Sequence, residues 1–271
     1  LGFWIGHEGT YELSGGQLVL EGALVNVFGF YEYHGVFIQT GGTNIGSSEL
    51  ALGMENPGGG IGEYHLSGDG VVSSENMIVG AYDGTGIFTQ TGGTNISPFL
   101  ALAPRPNSNG TYTISSGVMD IGFLAVGSEW WGWDSGRFKI IGDEATINMG
   151  GYHQDIGGIL ELDINGISTI NANTVYLDGD LDVEFLELPT VGELFTIISN
   201  AGSDPVEGFF EGKPDNSVFT VDGPLASTVD LRIDYDGGSG NDVVLSVMSI
   251  PEPATLALLL LGGLALLRRR K

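Results

Sequence analysis

The feature that most constrains this chain is a recurring word. Seven times before residue 161 a glycine stands two places ahead of an aromatic or aliphatic residue: Gly9/Tyr11, Gly35/Phe37, Gly62/Tyr64, Gly86/Phe88, Gly110/Tyr112, Gly136/Phe138 and Gly158/Leu160. The glycine intervals are 26, 27, 24, 24, 26 and 22 residues. A unit this small cannot bury its own apolar face, so recurrence on this scale predicts copies stacked on one another in a solenoid.

The words match beyond the glycine: GTYELSGGQL from Gly9, GVFIQTGGTNI from Gly35, GEYHLSGDGVV from Gly62, GIFTQTGGTNI from Gly86 and GTYTISSGVMDI from Gly110. Each alternates apolar and polar residues, passes a Ser/Thr-Gly turn and alternates again, which reads as strand, tight turn, strand. A shorter apolar word precedes most of them: Trp4-Ile5-Gly6, Leu50-Ala51-Leu52-Gly53, Ile78-Val79-Gly80, Leu100-Ala101-Leu102 and Leu124-Ala125-Val126-Gly127. Three short strands in about 25 residues predict one rung of a parallel β-helix. An antiparallel sandwich is the competing geometry, disfavoured because near-identical words return in register at every rung.

Tyr/Leu/Ser words alternate with Phe/Gln/Thr words, giving a superperiod of about 50 residues, as a duplicated two-rung unit would. The matched runs Gln39-Thr40-Gly41-Gly42-Thr43-Asn44 and Gln90-Thr91-Gly92-Gly93-Thr94-Asn95 read as stacked polar ladders at the turns, or as a surface for a glycan. After Gly158 the words degrade but stay strand-like, and no helical period is evident before residue 250. The expected fold is therefore all-β. A repetitive solenoid covers 1–158, further rungs and a cap cover 159–249, and a short hydrophobic helix lies within 250–271. The cap is expected because an open last rung exposes an unpaired edge.

Charge narrows the partners. The whole chain carries −25, but four of its nine cations and only one of its 34 acids lie after residue 250, leaving the body at −28. Such a surface repels nucleic acid and anionic lipid and attracts divalent cations loosely. Cysteine is absent, which removes disulfides, thiolate metal sites and cysteine nucleophiles. No charged segment leads into an apolar h-region at Leu1, so the start reads as a truncation.

The last 22 residues, IPEPATLALLLLGGLALLRRRK, break sharply from this composition. Their apolar run 254–267 spans roughly 21 Å as a helix, short of a hydrocarbon core of about 30 Å, so thinning and snorkelling arginines are needed to cross. The basic cluster is expected to stay cytoplasmic, with the acidic body on the far side. Pro251, Glu252 and Pro253, the apolar run and Arg268, Arg269 and Arg270 together resemble the PEP-CTERM sorting signal of bacteria that make extracellular polysaccharide. The resemblance implies recognition by a membrane-embedded exosortase, removal of the tail, and delivery to the cell surface or matrix. The Gly-x-Tyr/Phe words and Gly-Gly-Thr turns of the body resemble the β-strand repeats associated with autotransporter passenger domains, which implies the fold rather than an activity.

Three further patterns carry candidate chemistry. Asp178, Asp180, Asp182 and Glu184 alternate with apolar residues, so one strand face bears a carboxylate row: a solvated face, or a set of hard oxygen ligands for calcium. Residues 237–242, Gly-Gly-Ser-Gly-Asn-Asp, resemble one turn of the calcium-binding RTX repeats, making Asp234, Asp236, Asn241 and Asp242 candidate ligands, although stacked copies are lacking. Trp130, Trp131 and Trp133 form a cluster that stacks on sugars or a partner, or packs on the solenoid wall. His7, His34, His65 and His153 show no paired ligand spacing and receive no role.

Two function classes follow. The first is an exported, non-catalytic surface or matrix protein, structural or adhesive, associating with polysaccharide. The second is a β-helix polysaccharide lyase or glycoside hydrolase. A lyase is disfavoured because only five cations lie in the body and none adjoins an acidic cluster in a recognisable motif, and for a hydrolase the acids are so plentiful that a carboxylate pair carries no information.

Overall fold

The computed structural model describes residues 4–5, 9–20, 25–30, 34–46, 48–54, 59–81, 83–105, 107–127 and 135–251. The chain winds as a β-solenoid of about seven turns, with three walls of parallel strands. Among the described residues the only helical element is a single 3-10 turn at Pro224–Ala226. The expected C-terminal helix lies outside the described residues.

The recurring word is the first wall. Its strands pair in parallel with the glycines in register, Gly9 to Gly35, then Gly62, Gly86, Gly110, Gly136 and Gly158. The residue two places on is therefore also in register and points inward. Tyr11, Phe37, Tyr64, Phe88 and Tyr112 form one stack of rings with centroids 4.6 to 4.9 Å apart. That spacing is the natural distance between paired strands, so parallel pairing itself sets the rings in van der Waals contact. At Phe138 the column turns edge-on, 69° to Tyr112. The short apolar words make another wall, in which Leu50, Met77, Leu100, Leu124, Tyr152 and Val175 are successive partners.

The glycine of each word stands where these two walls meet. A Cβ added to Gly86 would lie 2.2 Å from the Gly80 nitrogen, and one added to Gly110 only 1.9 Å from the Val79 carbonyl oxygen. The sequence signal thus marks a corner where backbone passes backbone. At the next corner the requirement is conformational. Gly42, Gly93 and Gly117 all have φ between 67° and 93°, a region that side chains with a Cβ enter at a cost of roughly 1–2 kcal/mol. The tight turns expected after Gln90 and Ile114 are milder than a full turn. Thr85–Leu102 and Asn109–Val126 run on as 18-residue strands that bend through register shifts at this corner.

Parallel stacking continues past residue 158, with Gly158–Ile164 pairing to Asp180–Phe185. It then gives way to an antiparallel layer. Val218–Asp222, Thr228–Gly237, Asp242–Ser249 and Leu194–Asn200 pair in that order, and Leu194–Asn200 also continues the parallel wall through Ile170–Ala172. Leu231, Ile233, Val243 and Leu245 on its inner face are fully buried and close the end of the core.

Candidate functional site

The Gln and Asn that begin and end the matched runs face the core, whereas Thr40 and Thr91 between them are exposed. Gln39, Asn44, Gln90 and Asn95 are all buried, so they form no glycan surface. Nor do they stack on each other, because an apolar rung carrying Leu66 and Val72 intervenes. Each pair instead receives a tyrosine from the following rung. Tyr112 donates to Gln90 Oε1 at 2.6 Å and accepts from Asn95 Nδ2 at 2.9 Å. Tyr64 donates to Gln39 Oε1 and accepts from Asn44 Nδ2 at 3.0 Å. The glutamine Nε2 groups donate to turn carbonyls: Gly42 and Val71 for Gln39, Gly93 and Val118 for Gln90. Here is the physical cause of the two-rung superperiod: a Tyr rung requires a Gln/Asn rung before it. Burial pushes both phenol pKa values well up, so these hydroxyls stay protonated donors. A third, simpler pair joins Tyr152 to Gln154 at 2.7 Å.

The outer face of the first wall gathers the charge. Asp180, Asp182 and Glu184 are exposed on it as expected, and Asp178 is half-buried just before the strand. One rung back, Glu161 is opposite Asp182 and Asp163 opposite Glu184. Sequence reading found no cation beside an acidic cluster, but the winding supplies two. Lys139 reaches Glu161 at 2.6 Å and Asp163 at 2.7 Å, and Arg137 also pairs with Glu161. Burial pulls the Lys139 ammonium down, but its bonds and attraction to Asp163 and Glu161 outweigh that and hold it above the ordinary lysine value. Burial likewise pushes Glu161 up, and Lys139 and Arg137 overcome it and hold the carboxyl below the ordinary range. The signal was a rung length: Arg137 and Lys139 stand 24 and 22 residues before Glu161.

The remaining candidates are placed as follows. Residues 237–242 close the hairpin between Thr228–Gly237 and Asp242–Ser249. Asp242 Oδ1 accepts from the Asn200 N–H at 2.9 Å, its Oδ2 accepts from the Ser239 N–H at 2.9 Å, and Asn241 donates to the Gly202 carbonyl. Asp234 Oδ1 accepts from the Asp236 N–H at 3.0 Å. These polar atoms hold the turn together, and among the described residues no group of three or more His, Asp or Glu side chains is arranged to hold a metal ion. Glu63 bridges His34 at 2.7 Å and His65 at 3.0 Å on the outer face, and His153 meets Asp155 at 2.8 Å. Trp130, Trp131, Trp133 and His7 lie outside the described residues.

At the end of Asp242–Ser249 the chain leaves the cap through Pro251, which is exposed. Residues 249–271 match the PEP-CTERM protein-sorting motif. The motif is a signal recognised by exosortase, and it indicates export and anchoring in the cell envelope. Of its candidate residues Pro251 is described, whereas Glu252, Pro253, Arg268, Arg269 and Arg270 lie outside the described residues, as does the apolar run. Among the described residues no helix is long and apolar enough to cross a membrane. No curated protein and no solved structure matches the chain.

Proposed function

We propose that this protein is a non-catalytic surface or extracellular-matrix component, a rigid acidic rod with a structural or adhesive role, sorted through its C-terminal tail and associating with polysaccharide outside the cell. The observation that carries the reading is the pairing of a PEP-CTERM motif with a solenoid body. Stacked rungs make a stiff scaffold whose length scales with repeat number.

One observation favours the second reading, a polysaccharide lyase or glycoside hydrolase: Arg137 and Lys139 lie beside Glu161 and Asp163 on an exposed wall. A lyase base must give up its proton near neutral pH, however, and the carboxylates hold Lys139 protonated. We therefore keep the non-catalytic reading. Two measurements test it. Cell fractionation with intact-mass analysis of the mature C-terminus should find the protein in the envelope or medium. A cytosolic protein still ending in Lys271 refutes the sorting reading. Incubation with uronic-acid and neutral glycans should release neither reducing ends nor unsaturated products, and turnover refutes the non-catalytic role.

A further inference from the structure

The first wall stops short at its last strand. Asp180–Phe185 pairs along its whole length with Gly158–Ile164, but on its other side register pairing reaches only Glu184 with Asp222. At its start the Gly179 carbonyl accepts from the Glu211 N–H at 2.8 Å. Between these two ties the strand and Val218–Asp222 splay apart around a groove of about 550 Å³. Backbone groups alternate between the two sides of a strand. The ties at Gly179 and Glu184 fix that alternation, so the N–H and C=O of Leu181 and the N–H of Val183 face the groove.

The groove is amphipathic. Its floor includes Leu181 and Val183, 5 % and 4 % exposed, where their counterparts one rung back, Leu160 and Leu162, are 0 % and 1 % exposed. Asp182, Glu184 and Asp222 are exposed along its rims. Among the described residues the one cation lining it, Lys213, rests over the Phe219 ring at 5.4 Å.

We propose that this groove binds an extended, basic peptide segment of a partner protein, added as a strand to the free edge at residues 181–183. An unfilled strand edge is a template for amides at strand spacing, the main-chain mode of peptide recognition. Rim carboxylates select Lys or Arg at the outward positions, and the floor accepts apolar side chains at the alternate ones. A glycan presents hydroxyls but no row of amides at about 3.3 Å intervals. The proposal does not rest on export.

The probe is a fluorescein-labelled peptide, acetyl-Thr-Lys-Val-Lys-Val-Lys-Thr-amide, titrated into the full chain by fluorescence anisotropy at low salt. Expected is a Kd of about 10–100 μM, in the range of small peptide interfaces. Two analogues N-methylated on alternate amides keep every charge while removing one set of donors. At least one should bind tenfold or more weakly, and parent-like binding by both would overturn strand addition. The exposed double substitution Asp182→Lys/Glu184→Lys should weaken the probe at least tenfold with an unchanged circular dichroism spectrum. Unaltered binding would overturn the location, and displacement of the probe by a neutral oligosaccharide would overturn the choice of peptide over glycan.

Discussion

Replacing Tyr112 by Phe tests whether the two-rung superperiod is a hydrogen-bond requirement. The ring column is kept, since Phe88 and Phe138 occupy the same register position on either side. What disappears is one hydroxyl, leaving Gln90 Oε1 without its tyrosine donor and Asn95 Nδ2 with only the weak Met77 Sδ acceptor at 3.7 Å, in a region closed to water. An orphaned buried polar atom costs about 1–3 kcal/mol, and deleting the hydroxyl removes its own desolvation, so the net loss is about 2–4 kcal/mol. At 2–4 °C per kcal/mol for chains of this size, the melting temperature should fall by roughly 4–16 °C. Adding Asn95→Val removes the stranded donor together with an Oδ1 that is buried without a partner. Val72 already occupies that position one rung back, so the double variant should recover about 1–2 kcal/mol. Denaturant melts give the totals, and amide exchange over Asn109–Val126 shows whether the loss is local to these rungs. A single variant within about 0.5 kcal/mol of the parent, or a double variant less stable than the single, would refute the pairing rule.

The corner glycines give a paired comparison by thermal melting. Gly110→Ala drives a methyl into the Val79 carbonyl and should cost more than about 3 kcal/mol or prevent folding, whereas Gly16→Ala, with open space but a φ of 77°, should cost only about 1 kcal/mol. Glu161 gives a pH signature. Its folded pKa lies below the ordinary 4.5, so its stabilisation is present above that value and is lost as pH falls through the folded pKa. The melting-temperature gap between the parent and Glu161→Gln should therefore be widest near neutral pH and close in acid; a gap independent of pH refutes the ion-pair account. Lys139 has the opposite sign, its folded pKa lying above the ordinary 10.5, so its contribution should persist through neutral pH and fade only as alkaline pH passes the folded value.

Much of the scaffold was legible because its rules are local. Period-two alternation set which residues of GVFIQ and GIFTQ point inward, and the recurring glycines set the register, since a slip would place a Cβ into backbone at the corners of Gly86, Gly110, Gly136 and Gly158. The cap was expected from the need to cover the last edge, but its antiparallel order was not, because the degraded words after Gly158 carry alternation without a shared register. The roles of Gln39 and Gln90 were misjudged for a related reason. Two matched polar runs at turns look like a ladder stacked on itself, whereas the partner of each glutamine is a tyrosine 25 and 22 residues further on.

Sequence alone determined the strands, the rung length and the sorting tail, because alternation, glycine spacing and an apolar run ending in arginines are properties of contiguous residues. Only the tertiary winding decided which side chains became neighbours. It laid Glu161 against Arg137 and Lys139, slid Asn95 beneath the Tyr112 hydroxyl, and left an edge open beside Leu181. Those contacts join points a rung apart along the chain, and a shift of one residue in corner length would unmake them while leaving each local pattern intact.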